Sequence, residues 1–174
     1  MEGPGEPRQS REKEDDPGFV RSQALLKDFR IIFRSVQDHS RTVEKESGIS
    51  SAQLWMLWEL FSEPGLTVSA LARVLSIHQS TCSNMLDKIQ KKGLVFRDRS
   101  LDDQRIVRLY LTETGAALLA KAPRPAQGAL FDVLLRLPDK VLSELESGLH
   151  QLIDALNVVD EKAAMVPITE ENVN

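Results

Sequence analysis

The sequence predicts a mainly α-helical protein with one small β-hairpin. Aromatic residues make up only 5% of the 174 residues, so the core is mostly aliphatic, which favours helices over sandwiches or barrels. Apolar residues recur every three or four positions along most of the chain, which is the period of an amphipathic helix. One stretch, residues 94–111, instead combines an alternating apolar segment with a polar link, as two paired strands do.

The first predicted helix runs from Val20 to Glu46 and ends before Gly48. Ser50 or Ser51 is expected to cap a second helix, which precedes a Pro-Gly turn at residues 64–65. The stripe of the first helix, at positions spaced by three and four, contains Leu25, Phe29, Ile32, Val36, His39 and Val43.

Thr67 is expected to cap a short third helix, and a tight connection at residues 76–78 leads to a fourth helix that ends near Lys92. Two strands follow, at residues 94–97 and 106–111, joined by a polar link at 100–104. Thr112 opens a further helix, and prolines at 123, 125 and 138 divide the remaining helical pattern.

Several classes of protein are disfavoured by what the sequence lacks. A single cysteine makes no intrachain disulfide, and no apolar stretch is long enough to span a membrane. The charged N-terminus is unlike a signal peptide, so we expect a cytoplasmic protein that does not bind membranes. There is no glycine-rich phosphate loop, nucleophile elbow or metal-ligand spacing, so we expect no enzyme, no metal and no cofactor.

The net charge is −4, but basic and acidic residues are unevenly distributed along the chain. Residues 88–108 carry seven basic and three acidic side chains, whereas residues 129–174 carry three basic and nine acidic ones. A basic middle segment is typical of a surface that faces a polyanion, although an uneven solvated surface would look the same.

Two helices joined by a tight turn and followed by an arginine-bearing hairpin are typical of a winged helix-turn-helix, which binds DNA. The apolar residues of the fourth helix, Cys82, Leu86 and Ile89, predict which side is buried. The opposite side, here called the polar face, carries Gln79, Ser80, Ser83, Asn84, Asp87 and Lys88. We expect DNA contacts from His78, Gln79, Ser80, Ser83, Asn84, Lys88, Arg97, Arg99 and Arg105.

In these stretches the chain resembles the multiple-antibiotic-resistance-regulator (MarR) family of bacterial transcription factors. The resemblance covers about residues 25–155 and is most specific at Asp103-Gln104-Arg105 and at the strand and helix start in residues 107–115. It implies a homodimer on a pseudo-palindromic operator, with Asp103 bracing the hairpin and Arg105 near the minor groove. Relatives often carry arginine at the position of Asn84, and asparagine prefers adenine, so the operator sequence does not carry over.

The resemblance also suggests a domain organisation. Residues 49–115 form the DNA-binding lobe, and residues 19–48 and 116–165 form a helical dimerisation region. Residues 1–18 and 166–174 are expected to be disordered tails.

The family's effector pocket suggests a small-molecule ligand, and family habit suggests an aromatic carboxylate. We expect His39, Arg41, Trp55 and Trp58 to contact it, with Arg41 as the carboxylate's partner. The alternatives are a hydrogen-bonded histidine at the dimer seam and tryptophans that belong to the core.

Two further residues have alternative roles. Cys82 is either a packed small hydrophobe or, as in some relatives, an oxidant sensor. His78 either caps the fourth helix or contacts phosphate.

The sequence thus predicts a homodimeric DNA-binding regulator, a repressor that a ligand releases. One alternative is a winged-helix protein-interaction module that does not bind DNA. A second is a DNA-binding protein without a ligand.

Overall fold

The computed structural model describes residues 16–99, 106–156, 165 and 167 of the chain. Helices dominate, and one antiparallel hairpin lies between them, which confirms the predicted fold class. In chain order the elements are α1 (Pro17–Ser47), α2 (Ser51–Ser62), α3 (Val68–Val74), α4 (Gln79–Lys91), β1 (Val95–Arg99), β2 (Val107–Leu111), α5 (Glu113–Lys121), α6 (Ala129–Arg136) and α7 (Asp139–Leu156).

The chain divides into two compact units, residues 1–35 and residues 36–174. The described part of the first unit is helical, and α1 begins at Pro17 rather than at the predicted Val20. Proline suits the first turn of a helix because it has no amide hydrogen to leave unpaired there. Pro17 and Gly18, which were expected in the disordered N-terminal tail, are thus helical, and residues 1–15, 166 and 168–174 of the two predicted tails lie outside the described residues.

Side-chain caps begin three of the helices where the sequence predicts them. At α2, Ser50 Oγ accepts from the Gln53 amide at 3.3 Å, and Gln53 Oε1 accepts from the Ser50 amide at 3.1 Å, so both groups of a capping box are present. Thr67 Oγ1 accepts from the Ala70 amide at 3.2 Å, which caps α3. Thr112 caps α5, and these bonds satisfy amides that the helices themselves leave unpaired.

The core of the second unit lies where α2, α3, α4 and β2 meet. Their central side chains are aliphatic or sulfur-containing and are completely removed from solvent, which supplies most of the driving force for folding. The largest of them are Leu54, Met56, Leu57, Leu60, Leu71, Met85, Leu86, Ile89 and Leu109.

The hairpin pairs Val95 with Leu111 and Arg99 with Val107 at its two ends, so Arg97 faces Leu109 across the strands. Backbone bonds also join Leu109 to the turn before α3: its amide donates to the Leu66 carbonyl and its carbonyl accepts from the Gly65 amide, both at 2.9 Å. This third, strand-like segment fixes the hairpin to the helical lobe.

Candidate nucleic-acid interface

The connection between α3 and α4 determines where α4 begins. Ser76 has a left-handed backbone with φ of 54°, and the Ile77 amide donates to the Ala72 carbonyl at 3.0 Å. Ile77 is buried, and His78 follows in an extended conformation as the N-cap residue of α4. Residues 75–78 therefore form the tight turn of a helix-turn-helix.

The helix α4 has two distinct faces. Its buried face carries Cys82, Met85, Leu86 and Ile89, and Met85 is a core residue that the sequence analysis did not identify. On the polar face, Ser83 is half-buried and the others are exposed. The exposed members are Gln79, Ser80, Asn84, Asp87 and Lys88.

His78 lies exposed at the start of α4, and its side chain makes no capping hydrogen bond. The His78 side chain therefore does not cap α4, and contact with phosphate remains as its predicted role. The His78 backbone amide instead donates to the carbonyl of Met165 at 3.2 Å. A residue that follows α7 in the sequence thus contacts the first residue of the helix-turn-helix surface.

Cys82 behaves as a packed hydrophobe. Its side chain is completely buried, and Sγ lies 3.7 Å from the Val68 carbonyl oxygen. Burial raises the pKa of the thiol to about 11, and the nearby Arg97 guanidinium only partly opposes this rise. A thiol that stays protonated and enclosed is a poor nucleophile, so this environment supports packing over oxidant sensing.

The hairpin presents cationic side chains beside α4. Arg99 is exposed at the end of β1, and Arg108 is exposed and donates from Nη1 to the Gly65 carbonyl at 3.2 Å. Arg97 is different because its Nη2 lies 2.7 Å from Oδ1 of Asp87 on α4. The predicted brace Asp103 and the predicted DNA contact Arg105 fall in residues 100–105, outside the described residues.

A cavity of about 290 Å³ lies between the turn that precedes α4 and helices α1, α2 and α6. Its lining includes His39, Trp55, Ile77, Met85 and Phe131, so both the turn and the buried face of α4 form part of its wall. The lining is mostly apolar, and the described residues that form it include no Lys, Arg, Asp or Glu.

Two of the predicted effector contacts lie in this wall. Trp55 packs on Phe131 with the ring centroids 4.8 Å apart and the ring planes tilted by 36°, and its Nε1 donates to Glu59 Oε1 at 2.6 Å. His39 also lines the cavity, and its Nε2 is buried with no hydrogen-bond partner in the described part of the chain. An unpaired buried nitrogen costs free energy that a suitable ligand atom would recover.

The other two predicted contacts, Arg41 and Trp58, do not line this cavity. Arg41 is two residues from His39, so it projects from a different side of α1, where it pairs with Asp38 at 3.6 Å and is 67% exposed. Trp58 lies away from the cavity, with Arg124 Cζ 4.6 Å from the centre of its ring.

The contribution of α6 to the cavity was not predicted. Leu130, Phe131 and Leu134 all line it, whereas the helical pattern in the stretch before Pro138 predicted a helix but not a cavity wall. The pairing of Asp87 with Arg97 was also missed, since a separation of ten residues has no periodic signal.

Neither a metal centre nor a membrane span is apparent in the described ranges. Across residues 16–99 and 106–156, no group of three or more His, Cys, Asp or Glu side chains is arranged to hold a metal ion. Within the same residues, every helix is too short or too polar to cross a bilayer.

Comparison with known proteins gives consistent matches. The model of the MarR family matches residues 49–107. The chain is 34% identical over 104 residues to the organic hydroperoxide resistance transcriptional regulator of Bacillus subtilis, covering 60% of this chain and 67% of that protein. It is 30% identical over 100 residues to a putative transcriptional regulatory protein for the hcr operon of Thauera aromatica, covering 58% of this chain and 60% of that protein.

A solved structure has a similar fold. The S. aureus MepR–DNA complex superposes with a TM-score of 0.52 at 22% identity, covering 73% of this chain and 94% of that one. At this identity the likeness concerns the fold.

Proposed function

The chain belongs to the MarR family of transcriptional regulators, and we propose that it binds duplex DNA as a homodimer to control transcription. Its curated relatives are regulators rather than enzymes, so the chain is a regulator and not an enzyme. The chain matches 60% and 67% of the lengths of the two relatives, so the specific activity proposed here rests on the chain's own surfaces.

The proposal is supported mainly by the exposed polar face of α4, which lies next to the arginine-bearing hairpin. A helix with its side chains is about 10–12 Å across, and the major groove of B-DNA is about 12 Å wide. Asn84 is exposed near the middle of α4, where its amide is suited to bond adenine N6 and N7. S. aureus MepR, which has a similar fold, has been solved in complex with DNA, and the proposal extends DNA binding to this chain.

Cationic side chains around α4 supply affinity that does not depend on sequence. Lys88 and Lys91 lie exposed on α4, and Arg99 is exposed on the hairpin. Each phosphate that such a group neutralises releases condensed counterions, which makes binding sensitive to salt. By the resemblance, Arg105 is also proposed to contact DNA, at or near the minor groove.

A homodimer accounts for apolar surface that one chain leaves open. Exposed apolar side chains on α7 recur every three or four residues and form a continuous stripe, which is typical of a helix that packs on a partner. The stripe contains Val141, Leu145, Leu149, Leu152, Ile153 and Leu156. A two-fold dimer would present two copies of α4 about 34 Å apart, one turn of DNA.

The cavity is the proposed effector site, and a ligand there is proposed to release a repressor from its operator. Because Ile77 and Met85 line the cavity, a ligand that reshapes it also shifts α4. Coupling of this kind typically amounts to about 1–3 kcal/mol. The described lining residues include no Lys or Arg to pair with a carboxylate, so we favour an uncharged aromatic ligand, which His39 Nε2 could bond, over the expected aromatic acid. The cytoplasm is the compartment in which such a regulator meets its operator.

A salt titration of DNA binding tests the proposal. The chain is mixed with a labelled duplex from the intergenic DNA next to its gene, and the dissociation constant is measured by fluorescence anisotropy at several salt concentrations. The salt slope is the decrease in the logarithm of the association constant per unit increase in the logarithm of the salt concentration. We expect Lys88→Ala to reduce it by about 0.9, the value for one lost phosphate contact. Lys140→Ala removes the same charge from an exposed position on α7 and should leave the slope unchanged.

The alternatives give different outcomes in the same assay. A wild-type chain that binds no duplex at low salt would support a protein-interaction module instead. A chain that binds DNA but is stabilised by no aromatic compound in a thermal-shift screen would support a regulator without an effector.

A further inference from the structure

The ion pair between Arg97 and Asp87 joins the hairpin to the polar face of α4. Arg97 Nη2 lies 2.7 Å from Asp87 Oδ1, with the arginine side chain 32% and the aspartate side chain 50% exposed. Arg136–Asp132 and Lys140–Glu144, by contrast, are pairs within single helices. The Arg97–Asp87 pair therefore connects the two elements that are proposed to touch DNA.

Asp87 is negatively charged, yet it lies on the surface that is proposed to approach the negatively charged phosphates of DNA. It follows Asn84 by three residues, so the two side chains are neighbours on the polar face. A free carboxylate there repels the DNA backbone, and a bonded arginine cancels that charge where it stands.

The strand register explains why Arg97 meets Asp87. Arg97 faces Leu109 across the hairpin, and Leu109 is completely buried, so Arg97 projects from the side of the hairpin that packs on the core. Asp98, the next residue along, projects from the opposite side. Arg97 consequently lies at the seam between hairpin and helix, with its guanidinium already engaged.

We infer that Arg97 is a positioning residue of the DNA interface and not a phosphate ligand. It holds the hairpin against α4 and masks the charge of Asp87. Removing that charge releases Arg97 to bind phosphate, which raises affinity for any duplex and lowers selectivity for the operator. This inference rests on the proposed function and revises the role that the sequence suggested for Arg97.

A double-mutant cycle tests the inference. Wild type, Asp87→Asn, Arg97→Gln and the double variant are titrated by fluorescence anisotropy with the operator fragment and with a scrambled duplex, between 50 and 400 mM salt. Asparagine keeps the shape of aspartate, glutamine keeps a shorter polar side chain in place of arginine, and both remove the charge. Far-UV circular dichroism and Tm identify any variant that does not fold, and the uncharged Arg97→Met then replaces Arg97→Gln.

We expect Asp87→Asn to steepen the salt slope by about 0.9, which is about a 3.5-fold extra loss of affinity between 50 and 200 mM salt. Its affinity for scrambled DNA should rise several-fold more than its affinity for the operator. Arg97→Gln should weaken binding to both duplexes but leave the salt slope unchanged, because no phosphate contact is lost. In the double variant the slope should return to that of wild type.

A matched control separates a specific pair from general charge. Asp98→Asn removes the same charge from the other side of the hairpin, so it should not steepen the slope. If Arg97→Gln lowers the salt slope by about 0.9 while Asp87 is present, Arg97 already binds a phosphate and the inference is overturned. If Asp87→Asn acts equally with glutamine at position 97, the masking role is overturned. A wild-type chain that binds no duplex at 50 mM salt overturns the proposed function as well.

Discussion

Gly115 in α5 and Leu94 before β1 are in direct backbone contact. A Cβ on Gly115 would overlap the Leu94 carbonyl oxygen, which also accepts a hydrogen bond from the Thr112 amide at 3.1 Å. The Thr112 hydroxyl, in turn, donates to the Gly93 carbonyl at 2.7 Å. The start of α5 is therefore bonded to the start of the hairpin, and only glycine fits at position 115.

Gly115→Ala should destabilise the protein. The added methyl group meets backbone and not a movable side chain, so we expect a loss of at least about 2 kcal/mol in the free energy of unfolding. Urea denaturation followed by circular dichroism measures it. Gly148→Ala is the control, because no described atom lies within 4 Å of a Cβ added there and alanine favours a helix by about 0.5–1 kcal/mol over glycine. A Gly115→Ala variant as stable as wild type would contradict the close packing.

The buried thiol of Cys82 predicts a specific loss of stability at high pH. Because its pKa is raised from 9.0 to about 11 in the folded chain, the unfolded chain releases the proton first as the pH increases. The stabilisation is complete below pH 9 and is lost between pH 9 and 11, by about 2–3 kcal/mol. Urea denaturation of wild type and Cys82→Ala at a series of pH values isolates this contribution from other titrating groups. Parallel pH profiles would show that the thiol does not contribute.

Breaking the apolar stripe of α7 should separate the dimer. Leu149→Asp places a charge in the stripe, where burial against a partner would be costly. Light scattering after size exclusion should report a monomer, and operator affinity should fall at least tenfold because the two half-sites are no longer linked. Ser147→Asp adds the same charge on the opposite side of α7 and should remain dimeric. A monomeric wild type would argue against the stripe as an interface.

The cavity should prefer an uncharged aromatic molecule. We expect 2-naphthol to raise Tm more than 2-naphthoate at equal concentration, since the described cavity lining has no lysine or arginine to pair with a buried carboxylate. At 100 times its Kd a ligand stabilises the fold by about 2.7 kcal/mol, which a thermal-shift assay detects readily. Ala129→Leu narrows the cavity and should abolish the shift, whereas Ala117→Leu on exposed α5 surface should not. A larger effect of naphthoate would restore the aromatic acid as the ligand class.

Local signals predicted the elements of this fold well. Caps such as Ser50, Thr67 and Thr112 act within three residues, so their effect is readable in the sequence itself. The alternation around Leu109 likewise predicted β2, and the period of the buried side of α4 predicted its exposed side. The strand-like segment at Leu66 was not predicted, because its bonds reach a residue more than forty positions away.

The candidate ligand site was predicted only in part, for a geometric reason. His39 was singled out because a polar residue occupied an apolar position, and it does line the cavity. Arg41 was predicted from its charge alone, as the partner of a carboxylate. Residues two positions apart on a helix point to different sides, so Arg41 does not share the position of His39. The wall formed by Phe131 depends on how α6 packs, which no local pattern contains.

The bond between the His78 amide and the Met165 carbonyl affects how the chain should be handled in the laboratory. A fluorophore attached at position 165 would stand beside the first residue of the helix-turn-helix surface, so a binding signal from it would mix DNA contact with disturbance of this bond. Labels for binding studies therefore belong on exposed positions away from Met165, such as Ser147 on α7.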